Sequence, residues 1–490
     1  MRKLAGQTVI YGVGAAGGKL LGLLLVPIYT RALAPAEYGA MALLAVVASM
    51  LLLLGSTGIT TALLKFYYRY PEPARDRVLA TNATLAVLIF TLPCTLGLAV
   101  AAGPLSRLLV GPGARPEWLL LVAAANLLEA LLLVPTTLLR ARERAGAYAA
   151  LSGGRLVLNL GLNVALVVAL GLGVTGVVAG NAATVALLHL TAGVPLLYCL
   201  LSLGSVDGAL LRELVRYGLP LVPGQAALWA LNFSDRFFLQ HYASLHQVGL
   251  YSLGYAFGFA VAVVALFPFQ TAWSPFMFSL AERPEGDRIL AGAATYFLAL
   301  TAFLVLAVSV LGGDVVRLLA PRSYWQASRV IPLVALAYGL LGLALVLCSG
   351  ILLTRRTEAA GTIYGLGGVI NLGLNALLIP PFQQMGAAWA TLLSAAVLPL
   401  PMYLWARRLH PLPYEWGRLG RLAAGGLACY AAAQYLPGGG GGPWLRLALV
   451  ASFPVLLYGA GFYHKAELSA ARLAWRRHQA ALTGGEPCPR

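Results

Sequence analysis

The sequence of 490 residues carries only 17 acidic and 34 basic side chains, so the charges that fall inside its apolar stretches can be weighed one by one. Trp229, Asn232 and Arg236 are spaced three and four apart, and a helix sets such residues on one face. An aromatic ring, an amide and a guanidinium in line suit a sugar phosphate. The ring covers a sugar's CH face while the guanidinium takes two oxyanion oxygens at once. The same residues also fit the end of a helix anchored at a membrane interface, with the Trp among headgroups. Asp235 precedes Arg236, and adjacent residues on a helix point to different faces, so each is expected to find its own partner. Lys19 lies roughly 18 Å along an apolar run that begins near residue 7, close to the middle of a hydrocarbon layer about 30 Å thick. A charge at that depth costs about 2.5–3.5 kcal/mol, so Lys19 must face protein or water. Glu129, one turn from Asn126, is the acid in the middle of another apolar run. It reads either as the ion partner of Lys19 or, with Asn126, as an ion-coupling site. Arg31 and Arg155 sit near the ends of apolar runs, where their stems can snorkel to headgroups; Arg31 is kept beside Lys19 and Arg236 as a candidate contact for an anion.

Other chemistries lack their residues. Gly12-Val13-Gly14-Ala15-Ala16-Gly17 has the spacing of a dinucleotide fingerprint, but no strand precedes it, and Lys19 is followed by Leu20 rather than by Ser or Thr. Gly14, Gly18 and Gly22 read instead as a small-residue ridge for close helix packing. The six histidines never pair at ligand spacing, and the five cysteines show no C-x-x-C, so neither a metal nor any other cofactor is expected. The basic residues form no continuous face with interleaved aromatics, which argues against nucleic acid as a partner.

The elements that must position these residues follow from composition. Hydrophobic residues make up 60% of the chain and charged ones 10%, with a mean hydropathy of +0.80. A soluble domain carries about 25% charged residues, so a soluble enzyme is excluded. Cutting the chain at its Arg, Pro and Gly clusters leaves fourteen runs: 7–30, 38–64, 78–101, 118–139, 148–170, 174–201, 213–240, 247–279, 289–311, 329–353, 359–380, 385–406, 419–436 and 444–463. Each is long enough to cross a bilayer as a helix of about 20 residues. The connections at Gly171-Leu172-Gly173 and from Pro381 to Gln384 are very short. Of the 34 Lys and Arg, 24 fall in loops on one side and 7 on the other, which places both termini in the cytoplasm. No loop on the outer side is long enough for a catalytic domain.

The string Asn159-Leu160-Gly161-Leu162-Asn163 recurs as Asn371-Leu372-Gly373-Leu374-Asn375. Gly176 answers to Gly386, and Tyr38-Gly39 answers to Val248-Gly249. Leu139-Arg140-Ala141-Arg142 resembles Leu353-Thr354-Arg355-Arg356. Similar offsets at several places mean a duplicated unit, and an even number of spans per unit preserves its direction. The expected fold is therefore an all-α polytopic membrane protein of about fourteen transmembrane helices. Two six-helix lobes, 1–205 and 206–410, are related by the internal repeat about an axis along the membrane normal and enclose a central cavity. Helices 13 and 14 occupy 411–463 and a basic cytoplasmic tail 464–490.

Tyr29-Thr30-Arg31-Ala32-Leu33 through Glu37-Tyr38-Gly39, Ser234-Asp235-Arg236 followed by Val248-Gly249-Leu250-Tyr251, and the paired Asn-rich helices after basic loops carry a resemblance over essentially the whole chain. They resemble the polysaccharide-transporter branch of the multidrug/oligosaccharidyl-lipid/polysaccharide exporter superfamily, which includes the Wzx-type flippases. The resemblance implies alternating access without catalysis, in a bacterial inner membrane, for an oligosaccharide on an undecaprenyl diphosphate carrier used to build surface polysaccharide such as O-antigen. H+ or Na+ is a candidate coupling ion, and other polysaccharide-assembly membrane proteins are candidate partners. A diphosphate needs cations in a cavity, and Lys19 and Arg236 are the best placed. The rival readings are an ion-coupled drug or small-molecule antiporter of the same superfamily and a membrane enzyme of polysaccharide assembly.

Overall fold

The structure, a computed structural model, describes residues 25–464 apart from Thr57, 70–72, Pro112, Glu143, 194–204, Glu282, Arg355 and 436–441. No strand occurs among the described residues. Residues 25–32 are helical. The first half then runs through α1 (Pro35–Ser56), α2 (Ile59–Arg69), α3 (Pro73–Val100), α4 (Ala102–Val110), α5 (Pro116–Ala141), α6 (Ala145–Asn163) and α7 (Gly173–Leu188). The second half has α8 (Gly208–Gly218), α9 (Val222–Tyr242), α10 (Leu245–Val261), α11 (Phe267–Leu280), α12 (Gly286–Leu319), α13 (Ile331–Leu347), α14 (Ser349–Leu353), α15 (Thr357–Val397) and α16 (Pro399–Leu409). The chain closes with α17 (Trp416–Gln434) and α18 (Gly442–Gly459).

Local chemistry sets several of these ends. Pro35 opens α1, where its missing N–H is no loss, and the Glu37 carboxylate accepts the Ala34 N–H at 2.8 Å. Asp207 caps α8 by accepting from the N–H groups of Ala209 and Leu210. Gly171 and Gly173, with φ of 62° and 55°, make the short turn into α7 that the sequence predicts. The second short turn lies inside α15, where Gln383 leaves helical geometry just after Pro380-Pro381.

Ten helices among the described residues are long and apolar enough to cross a membrane. The fourteen spans expected differ from these ten at four places. The run 7–30 is described only from Leu25. The runs 359–380 and 385–406 join in one stretch across the kink at Gln383. Neither α9, with Gln225, Asn232, Asp235 and Arg236, nor the Arg- and Gly-containing α17 is apolar enough to be counted. Two spans are also broken where the sequence predicts continuous helices. Between α1 and α2, Gly58 takes a φ of 72°, and a Cβ on it would fall 2.2 Å from the Gly218 carbonyl oxygen. The facing chain breaks there too, at the 3₁₀ turn Leu219–Leu221 between α8 and α9. The two interruptions pack on one another, which lets the backbones approach where intact helices with side chains would not.

The repeat reappears as symmetric contacts. A Cβ on Gly39 would lie 2.1 Å from the Leu245 oxygen, and one on Gly249 would lie 1.9 Å from the Pro35 oxygen. Pro35 and Leu245 stand at the same offset as the two glycines, so α1 and α10 cross glycine on glycine as a two-fold relation requires. In the same way a Cβ on Gly176 would meet the Leu166 oxygen at 2.9 Å, and one on Gly386 the Leu378 oxygen at 2.0 Å. The Asn159 amide donates to Thr184 at 3.5 Å, and that of Asn371 donates to Ser394 at 3.1 Å. The last two helices pack against α12, where Arg446 pairs with Asp314 at 2.7 Å. Arg418 is buried there with its guanidinium 4.6 Å from the Phe462 ring.

Candidate functional site

A cavity of about 520 Å³ opens among α1, α5, α6 and α7, with Tyr29 at its side. Its polar lining is unusual for an apolar bundle: Ser49, Asn126, Glu129, Ser152, Arg155, Asn159, Asn181 and Thr184. Arg155 Nη1 donates to Glu129 Oε1 at 2.6 Å. Among the described residues the carboxylate's other oxygen is buried without a hydrogen-bond partner, and the Arg155 side chain, 49% exposed, donates to no other acceptor. Asn159 lies one turn from Arg155 on the same face of α6. Its amide donates to Asn181 Oδ1 at 2.8 Å, which the Asn163 amide also reaches at 3.4 Å. Together the α6 and α7 groups make a row of amides and hydroxyls beside one ion pair. Such a surface has donors and acceptors for a hydroxylated ligand and a guanidinium for an anion.

A second charge pair, in the second half, is closed off from any cavity. Asp235 and Arg236 are 1% and 5% exposed and pair with each other, Nη1 to Oδ1, at 2.7 Å. This corrects the expectation of separate partners. The arginine stem is long enough to fold its guanidinium back along the helix, and the same Nη1 also donates to the Asn232 carbonyl oxygen one turn earlier at 2.8 Å. The Tyr251 hydroxyl donates to the second Asp235 oxygen and lies 3.2 Å from Thr391 Oγ1. The Arg236 guanidinium sits 4.3 Å from the Tyr255 ring centre. Asn232 Oδ1 accepts from the Tyr338 hydroxyl at 3.1 Å. A buried charge pair is tolerated when all its bonds are made; here aromatic hydroxyls and rings complete the set.

The residues singled out from sequence therefore divide. Lys19 lies outside the described residues. Arg31 is exposed at the end of the first helical stretch, away from the cavity lining. Glu129 and Asn126 both line the cavity, and Glu129 takes Arg155 as its ion partner. Asn126 is buried against α1; with its amide turned to satisfy both groups, it donates to the Ala48 oxygen and accepts from the Leu52 N–H, each at 3.1 Å. Trp229 lies 6.0 Å from the Phe233 ring, which in turn stands 5.5 Å from the Arg236 guanidinium. Its indole N–H donates to Ser49 Oγ at 2.9 Å and so ties the second half to the cavity wall. Arg155, read from sequence as a headgroup anchor, belongs to the cavity instead, because Glu129 stands opposite it on α5. Sequence reasoning missed Asn159, Asn181, Thr184 and Ser49. A signal was present: the duplicated Asn pairs put amides at helical spacing in apolar runs, yet they served only to mark the repeat. The cavity predicted between the halves is lined by the first half and meets the second at the Ser49–Trp229 bond.

Residues 4–281, more than half of the chain, match the family described as polysaccharide biosynthesis protein. The chain belongs to that family. This member of the polysaccharide biosynthesis proteins matches no curated protein by sequence. Its fold is similar to that of the lipid II flippase MurJ in an inward-closed conformation, with a TM-score of 0.74 at 9% identity over 93% of this chain and 99% of that one. A multidrug resistance MATE family transporter of the MOP superfamily in an inward-facing conformation gives 0.63 at 17% identity, over 80% and 95% of the two chains. A variant of the Vibrio cholerae MATE transporter VcmN gives 0.57 at 16%, over 83% and 96%. At these identities the likeness is one of fold, and these neighbours are transporters and flippases. The family and the apolar helices make this chain a multi-pass membrane protein.

Proposed function

We propose that this protein flips a lipid-linked oligosaccharide, carried on undecaprenyl diphosphate, from the cytoplasmic to the outer leaflet of a bacterial inner membrane by alternating access. Both termini lie in the cytoplasm, as the Lys/Arg distribution argues. The observation that carries this reading is the cavity inside the first half, whose largely apolar wall carries a row of Asn and Thr groups beside a half-exposed arginine. Its size suits the polar head next to the carrier rather than a whole oligosaccharide with its lipid. The polyprenyl tail stays in the bilayer, where it is already solvated, and only the head needs a path lined by hydrogen-bonding groups. Transport down a gradient requires no catalytic residue, only different affinities of the two end states for cargo or coupling ion.

The test uses proteoliposomes holding the protein and a fluorescent undecaprenyl diphosphate oligosaccharide. Inner-leaflet label should become reachable by an impermeant quencher faster than in protein-free vesicles. A rate equal to that of empty vesicles would refute the reading. The second reading, an ion-coupled antiporter of small organic cations, draws on Glu129, an acid inside the cavity with one oxygen unbonded. It requires uptake of an organic cation driven by a proton or sodium gradient, with no movement of the lipid.

A further inference from the structure

Resting on the flippase reading, we infer that Glu129 is a built-in substitute for the cargo's phosphate: it holds Arg155 in the empty cavity and gives it up to the diphosphate when cargo enters. Two charge pairs, one in each half, make the case by contrast. In the second half the pair is finished: both Asp235 oxygens are bonded, the guanidinium is covered by the Tyr255 ring, and neither residue is accessible. In the first half the pair is unfinished on both sides. A single hydrogen bond of 2.6 Å joins Arg155 Nη1 to Glu129 Oε1, the second carboxylate oxygen has no donor among the described residues, and the remaining guanidinium donors stand at the cavity.

An arginine fork binds best when two parallel N–H groups meet two oxygens of one anion. Glu129 offers it one. A diphosphate presents several oxygens at the right spacing, so it can replace the carboxylate and use donors that Glu129 leaves idle. The groups that would receive the attached sugar are next in line. Asn159 is one turn from Arg155, and its amide partners Asn181 and Thr184 face it from α7. Cation, then amides and hydroxyls, follows the order of diphosphate, then sugar, in the cargo. Glu129 also has a task when the cavity is empty, since a lone guanidinium inside the membrane would be costly.

The test measures binding of a fluorescent undecaprenyl diphosphate disaccharide to the full-length protein in zwitterionic nanodiscs, beside the same disaccharide on a phosphate-free polyprenyl carrier. Glu129→Gln keeps the shape but frees the arginine, and should tighten binding of the diphosphate lipid roughly tenfold, while Arg155→Gln weakens it at least as much. Arg155→Lys, which keeps the charge and loses the fork, should fall between, and the Glu129→Gln, Arg155→Gln double variant should match Arg155→Gln alone. Inorganic pyrophosphate should compete for the site, and better in Glu129→Gln. Weaker or unchanged binding in Glu129→Gln overturns the exchange, as does an equal response of the phosphate-free lipid or competition by the sugar without competition by pyrophosphate. Wild-type protein that binds the lipid but ignores both variants removes the exchange and leaves the flippase reading. Tighter pyrophosphate binding in Glu129→Gln by a protein that never binds the lipid does the reverse.

Discussion

At the scale of single residues, the molecule shows how burial decides what a charge is for. Asp235 and Arg236 stand at adjacent positions, and helix geometry alone argues against a bond between them. The bond forms because the arginine side chain is long and because Tyr251, Tyr255 and Asn232 arrive from other parts of the chain to complete the network. Removing one member of such a pair strands the other. Asp235→Asn is therefore expected to destabilise the fold by about 3–5 kcal/mol, read as a fall in the thermal midpoint of the detergent-solubilised protein. Adding Arg236→Met to that variant should recover most of the loss, since a long apolar side chain needs no counter-charge. If the single variant melts with the wild type, the pair is not the buried unit described. Arg155 shows the opposite case: its position in a helix suggests an anchor, and only the acid facing it from α5 places it in the cavity.

At the scale of elements, the glycines decide how closely helices approach. Gly39 and Gly249 lie in first turns of α1 and α10, and each stands against the backbone carbonyl of the other helix. Tyr324 reinforces the same junction by donating its hydroxyl to the Leu33 oxygen at 2.9 Å. A Cβ at either glycine meets backbone rather than a flexible side chain, so the helices must separate. Gly39→Ala and Gly249→Ala are each expected to open this end of the bundle. A cysteine pair introduced at Leu33 and Tyr324, where a tyrosine's length separates the two backbones, should be bridged quickly by a short bis-maleimide in the parent and much more slowly in either variant. Equal rates would mean that the crossing tolerates the extra carbon. The repeat was legible because these glycines recur at one offset. That they touch one another was not legible, since an offset says nothing of which copies meet.

At the scale of the whole molecule, the two halves share a scaffold and differ in what fills it. Asn159 and Asn181 of the first half border an open cavity, whereas in the second half Asn371 and Asn375 pack with Ser394 into a buried hydrogen-bonded cluster. The basic loops predict a direction for the bundle in the membrane. In intact cells an impermeant maleimide should react with a cysteine placed at the exposed Gly113, between α4 and α5, and should leave the native Cys488 unmodified until the membrane is permeabilised. The reverse pattern would invert the orientation.

The sequence by itself determined that the chain lives in lipid, that its elements are helices, that it is internally duplicated, and which few charges deserve scrutiny. All of these are properties of composition and periodicity, which each segment carries alone. Tertiary structure decided which charges meet, because a partner such as Tyr251, Ser49 or Glu129 comes from another helix at a distance no spacing rule encodes. It also decided where the helices break, at Gly58 and at Leu219–Leu221, where a neighbouring backbone requires it. The site belongs to this second class: a cavity is the space that several helices leave between them, and no one of them specifies it.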